Sequence, residues 1–277
     1  YLSKSFDYAK WTSEKFHRIS DIISSQNPSK EISRNVPEDQ ILTLQKVFGY
    51  SLEDLERLVE PMSLTGKEPI GSMGDDTPLS ALSSKPKSVF SYFKQRFAQV
   101  TNPPIDPYRE DSVMSLRVLM GNKTSFFDSI NSKEEFFYFD SPVITDKEVN
   151  WIRTLKSKKF KTSVIDTVFS VSKKNNLKSS LEKIVKKSVK EVDQGSKVLL
   201  LSDKKVSKTK APIPIMLAVS AIHHELISQG KRMKVSIVVE SGEVREDHQV
   251  CCLLGYGASC VNPYLAFATV EDWMKKF

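Results

Sequence analysis

Two short runs in the second half of the chain, residues 197–201 and 235–239, are apolar along almost their whole length. A strand that shows one face to water alternates apolar and polar residues. A run without alternation is covered on both faces. The first run ends in Ser202-Asp203 and the second in Glu240-Ser241-Gly242. A helical pattern follows each. After the first, Pro212 and Pro214 open a helix through Leu217, Ala218, Ala221, Ile222 and Leu226, closed by Gly230. After the second, Asp247 is placed to cap a helix through Val250, Leu253 and Leu254, stopped by Gly255-Tyr256-Gly257. Strand, loop and helix repeated with doubly covered strands give a parallel sheet with helices outside it, and a barrel or part of one satisfies the pattern.

The first half is less regular. Residues 1–40 are expected to be irregular, anchored by Trp11 and Phe16. A helix is predicted over 37–49 with Ile41, Leu42, Leu44 and Val47 apolar. A second is capped by Ser51, with Leu52, Leu55, Leu58 and Val59 as its face and Pro61 as its end. Phe90, Phe93, Phe97 and Val100 form one stripe of a helix predicted over 88–100, read as core. Two loops dense in Gly, Pro, Asn and Asp, residues 68–79 and 95–110, are specified rather than low in complexity. Such loops sit where a protein touches something other than itself.

At 277 residues the chain can bury a large core, in one domain or two. No apolar run reaches the roughly 20 residues of a membrane span, and no signal-peptide pattern opens the chain. A chain that opens on Tyr1 rather than Met is expected to be a piece of a longer polypeptide. The net charge of +7 is uneven: residues 153–210 hold 17 Lys/Arg against 5 Asp/Glu, leaving −5 for the rest. These are nearly all lysines. In residues 181–192 they alternate with an apolar face of Leu181, Ile184, Val185, Val189 and Val192, so they read as a solvated outer face. No aromatic residues interleave with them for base stacking, and nucleic-acid binding is not expected. Cys251, Cys252 and Cys260 fit neither a disulfide framework nor a metal spacing, and read as small buried hydrophobes in a reducing compartment.

Few motifs carry chemistry. Gly71-Ser72-Met73-Gly74-Asp75-Asp76 lacks the Gly-Lys-Ser/Thr of a phosphate loop, and reads as a tight turn whose Asp side chains bond their own backbone. His223 and His224, adjacent on a helix, point about 100° apart and make a poor metal pair. One is expected to be buried and hydrogen-bonded, the other at an edge. Asp203 and Glu240 stand at strand ends, where barrels place catalytic groups. There they could pair with Arg245, Glu246 or His248 beyond them, cap helices or hold loops.

Six blocks taken together, residues 68–83, 92–110, 114–116, 200–203, 211–226 and 239–266, closely resemble the central domain of the glutamate synthase large subunit, in the family's order and across roughly 44–270. The resemblance implies an α/β fold that is a rudimentary, incomplete TIM-barrel-like domain with parallel strands and outer helices, preceded by an irregular helical N-terminal part. It implies an arm over 1–43 and the central domain over 44–277. It implies a parent oxidoreductase of nitrogen metabolism, cytoplasmic, that makes glutamate from glutamine and 2-oxoglutarate. In that enzyme an amidotransferase domain releases ammonia, and a domain holding FMN and an iron–sulfur cluster performs the reductive step. The central domain holds no cofactor, metal or catalytic residue of its own, joins the other two and helps enclose an ammonia tunnel.

A conduit for ammonia must exclude water, because at neutral pH water converts the nucleophile to ammonium. The expected tunnel or interdomain residues are Gly71, Ser72, Met73, Asp75 and Asp76 in the first loop. In the second, Thr101 and Asn102 stand near the entrance, with Asp106 and Arg109 bracing them. Lys204 stands where the family commonly has Arg, and loses a bidentate donor. The rival readings are an independent small-molecule enzyme on a degenerate barrel, using Asp203, Glu240 or His248, and a nucleic-acid module using the lysine segment.

Overall fold

The structure, a computed structural model, describes residues 7–26, 36–67, 82, 84, 87–94, 104–123, 136–156, 160–171 and 176–275. Its centre is a parallel sheet of four strands, β4 (Lys161–Asp166), β6 (Ser196–Ser202), β8 (Ser236–Glu240) and β9 (Cys260–Asn262), in that spatial order. They pair in register from Thr162 against Val198 to Glu240 against Asn262. Each strand neighbours the next one along the chain, and each connection carries a helix. These are α8 (Asn176–Asp193), α9 (Ile215–Ser228) and α10 (Asp247–Gly255). This is the winding of a barrel left open. The chain is an α/β domain of incomplete barrel type.

The alternate sides of the strands explain why the runs are apolar throughout. Leu199, Leu201, Ile237, Val239 and Val261 face the three helices, meeting Ile184, Val219, Ile222 and Leu253. Val198, Leu200, Val238 and Cys260 face the other way, into a second core. That inner side is not hollow. It is filled by Val149 and Ile152 of α7 (Asp146–Thr154), by Met120 of β2 (Val118–Met120) and Phe139 of β3 (Phe136–Phe139), and by Ile19. The inside of the open barrel therefore holds a helix and a small sheet.

That small sheet recruits the N-terminal residues. β1 (Phe16–Arg18) pairs parallel with β3, which pairs antiparallel with β2. The first 40 residues are thus more regular than expected: α1 (Tyr8–Lys15) and α2 (Ile19–Gln26) flank β1. Trp11 and Phe16 do act as anchors, in an aromatic cluster with Phe136.

Several boundaries differ from the sequence expectation. The aromatic stripe does not make a helix from 88: only one 3₁₀ turn forms, Val89–Tyr92, and Phe93 is extended. Phe90 still enters the core, while Phe97 and Val100 lie outside the described residues. Pro61 does not end its helix. After the Ser51–Asp54 capping box the ladder passes through a π turn, Leu55–Val59. Pro61 then sits in the first turn of Glu60–Thr65, where a missing N–H is tolerated. Leu42, Val47 and Leu52 are exposed, whereas Gln45 is buried and donates to Thr269 Oγ1 at 2.9 Å. Of the cysteines only Cys260 is buried. Helix α10 turns Gln249, Val250 and Leu253 inward, which leaves Cys251 exposed and Cys252 half-buried.

At the opposite end of the sheet from the acids, Arg232 knits three segments. It donates to His223 Nδ1 at 2.9 Å, to the Val235 carbonyl at 2.7 Å and to the Gly257 carbonyl at 2.6 Å. His223 is the half-buried, bonded histidine and His224 is exposed. Gly257 has φ +107°, and a Cβ there would stand 2.1 Å from His223 Nδ1. Gly257→Ala is therefore expected to lower the unfolding free energy by about 2–3 kcal/mol through backbone strain and loss of the Arg232 contact. Gly255→Ala, with open space around it, serves as control in the same urea titration and is expected to be near neutral.

Candidate functional site

The strands of the parallel sheet run out on polar residues at their carboxyl ends, and those of β6, β8 and β9 are buried: Ser202, Asp203, Glu240, Ser241 and Asn262. An ionised group survives there only with partners. Glu240 has them. Its Oε2 accepts from Arg153 Nη2 at 2.6 Å and from Ser202 Oγ at 2.5 Å. Lys204 Nζ forms an ion pair with Oε1 at 2.8 Å, at an angle short of a hydrogen bond, and lies over the Tyr264 ring. Burial pushes the Glu240 pKa up, but Lys204, Ser202 and Arg153 outweigh it and hold the carboxyl below its ordinary value.

Asp203 is treated differently. It accepts from Ser241 Oγ at 2.6 Å and from the Gly242 N–H at 3.1 Å. The Tyr264 hydroxyl faces it without reaching hydrogen-bond geometry. No cation pairs with it among the described residues. Burial pushes its pKa up to about 7, against the pull of Ser241, Gly242 and Tyr264, and the charge of Glu240 adds to the rise. Ser241 Oγ in turn accepts from the Glu243 N–H at 3.1 Å. The Glu243 carboxylate accepts from Ser88 Oγ at 2.9 Å and from the Ile215 N–H at 3.0 Å, at the start of α9. A single chain of hydrogen bonds thus ties together the ends of β6 and β8, the head of α9 and the segment carrying Phe90.

A carboxyl titrating near 7 has the pKa of a general acid or base. Here it has no access to a substrate. Phe48 packs so close to Gly242 that a Cβ there would meet its ring at 2.5 Å, and Tyr264 and Leu265 are buried beside Phe48. These strand ends do not fit a flavin phosphate either, since two inward-facing acids and an aromatic plug stand in that place. His248 is exposed on α10, 3.6 Å from Cys252, and no hydrogen bond joins it to Asp203 or Glu240 among the described residues. Arg245 does not pair with either acid. It stacks on Tyr50 and lies 3.6 Å from Asp54. The arrangement is a set of clamps that fixes loops.

Of the residues expected in the tunnel loops, Asp106 and Arg109 are described. Asp106 caps the helix Pro107–Val113, accepting from the Arg109 N–H at 3.1 Å, and the Arg109 side chain closes onto the same carboxylate. Gly71, Ser72, Met73, Asp75, Asp76, Thr101 and Asn102 lie outside the described residues. The sequence reading missed Arg153 and Tyr264 as neighbours of the strand-end acids, and Glu243 as the link from Ser241 to Ser88 and Ile215. The signal for Arg153 was slight: an arginine directly after a core isoleucine in the last turn of a helix.

Fold and strand ends together define a class: an α/β half-barrel domain with a filled interior and a sealed carboxyl end. Its family is shown by comparison with known proteins. The family model described as the glutamate synthase central domain matches residues 43–277, and the chain belongs to that family. It is 40% identical over 271 residues to the glutamate synthase [NADPH] large chain of Bacillus subtilis, covering 98% of this chain and 17% of that protein. It is 40% identical over 272 residues to the chloroplastic ferredoxin-dependent glutamate synthase of Oryza sativa, covering 96% and 16%. Against ferredoxin-dependent glutamate synthase 2 of Synechocystis it is 39% identical over 237 residues, covering 84% and 15%. The chain thus spans about one sixth of the length of these relatives, and corresponds to one domain of a larger polypeptide. Among the described residues, no helix is long and apolar enough to cross a membrane.

Proposed function

We propose that this chain is the non-catalytic coupling domain of a cytoplasmic glutamate synthase. In this reading residues 44–277 form the central unit and 1–43 an arm. The unit packs between an amidotransferase domain and an FMN- and iron–sulfur-bearing domain of the same polypeptide. It contributes walls to the conduit along which ammonia passes from one to the other. The parent enzyme makes glutamate from glutamine and 2-oxoglutarate, and the isolated chain makes none.

The observation that carries this reading is the sealed carboxyl end of the sheet. In a barrel enzyme those positions present reactive groups to a substrate. Here Glu240 is neutralised by Arg153 and Lys204, Asp203 is roofed by Gly242 and Tyr264, and Phe48 closes the crevice. With reactive groups turned inward, the specified loops are the part of the domain left to act, and they act on neighbours. Asp106 and Arg109 then serve to stiffen the second loop where it becomes helical.

The test uses the full-length enzyme. Asn102→Ala is expected to uncouple the half-reactions, so that more glutamine is hydrolysed per glutamate formed than in the parent. A ratio unchanged from the parent overturns the conduit reading.

A further inference from the structure

A groove of about 720 Å³ runs along α11 (Tyr264–Met274) beneath the π turn. Its walls are apolar, built from Val59, Met62, Val250, Phe267 and Val270. A second groove of about 280 Å³ continues it between α11 and the helix Glu38–Val47. The two share Val59, Ser63 and Val270, so they form one trough. Leu42 and Leu52 line its far end with about 70% of their surface exposed. Contiguous apolar surface of this kind marks a binding face.

The charge of the trough opposes that of the chain. Asp146, Glu246, Asp247 and Glu271 line the larger part, and Glu56, Glu60 and Asp272 the smaller. Among the described residues that line the trough the cations are Lys147 and Arg245, and Arg245 is already turned to Tyr50 and Asp54; of the carboxylates, Asp146 accepts from Asn262 Nδ2 at 2.9 Å. The whole chain carries +7. Glu246 is half-buried, and among the described residues no hydrogen bond reaches its carboxylate. A long apolar floor with an acidic rim is the complement of a helix or extended segment that is apolar on one side and carries Lys or Arg on the other.

We propose that the trough docks such a basic, apolar segment, supplied by the part of the same polypeptide outside residues 1–277. The inference rests on the reading of this chain as one domain of a longer enzyme, and it names the surface that holds the domain to its neighbours. It is independent of the conduit, which the Asn102→Ala ratio tests separately.

The experiment labels carboxylates of the full-length enzyme with carbodiimide and glycine ethyl ester, followed by peptide mapping. Glu182, exposed on α8, is the reference. Glu56 and Glu271, both exposed on this domain like Glu182, are expected to react about tenfold more slowly than Glu182, the loss of access that interface burial brings. Without the ester, cross-links are expected from these carboxylates to lysines outside residues 1–277. Protection without a cross-link supports the same surface with an arginine-bearing occupant, provided that Glu246→Lys with Glu271→Lys restores labelling at Glu56. Labelling as fast as Glu182 overturns the proposal. So do cross-links confined to residues 1–277, cross-links to a second, isotope-labelled copy, or protection that survives the charge reversal.

Discussion

Replacing Glu240 with Ala is expected to lower the unfolding free energy by about 3 kcal/mol, the low end of the cost of stripping one partner from a buried ion pair. The low end applies because the partners have an escape. Glu240 is fully buried, but the side chains of Arg153 and Lys204 keep 35% and 23% exposure and can turn towards water. Ser202 Oγ would lose its acceptor as well. Urea unfolding at neutral pH checks the value. A loss below about 1 kcal/mol would mean that the network contributes no more than a surface pair, and that the carboxyl end is held by its aromatic plug alone.

The second large effect is on pH dependence. Asp203 has an ordinary pKa of 3.8 and is pushed up to about 7 in the folded chain. A group whose folded pKa is raised stabilises the fold fully below its unfolded pKa, and that contribution is lost as pH rises through the folded value. Between pH 4 and pH 7 the unfolded chain ionises while the buried carboxyl resists. Stability should therefore fall across that window, by on the order of 4 kcal/mol at about 1.4 kcal/mol per pKa unit. Glu240 works in the opposite sense and at a different pH. Its folded pKa is lowered, so its contribution is present above about 4.5 and is lost as pH falls below that. Asp203→Asn is expected to flatten the fall between pH 4 and 7. Glu246, also raised by burial, leaves a smaller slope of the same sign. Unfolding free energies of parent and variant at pH 5 and pH 8 make the comparison. An equal slope in both would remove Asp203 as its source.

Much of the architecture was legible without coordinates. The strands around 197–201 and 235–239 and the helices after them appear within a residue or two of the expected bounds. The lysine-rich helix keeps Ile184 and Val192 buried and its lysines outside. Periodicity is local, so it is written in the chain wherever the buried face is long. It fails where the element is short or its cover comes from far away. The phenylalanine stripe from 90 has helical spacing, yet the chain makes one 3₁₀ turn, because Phe90 is drawn into the outer-face core and Ser88 is tied to Glu243. Leu42 and Leu52, apolar positions of the predicted helices, are exposed and line the trough.

The candidate site was half legible. Position at strand ends singled out Asp203 and Glu240, but the same logic offered Arg245, Glu246 and His248 as their partners, and the fold uses none of them. It brings Arg153 from 87 residues away onto Glu240, and lays Tyr264 against Asp203. The sequence by itself determined an α/β domain with doubly covered parallel strands, and its family, because both reside in runs of neighbouring residues. Only the tertiary structure decided that the barrel interior is packed with α7 and that the acids face inward to cations and amides. Those outcomes depend on side chains far apart in the chain meeting at buried strand ends, and no local pattern encodes such a meeting.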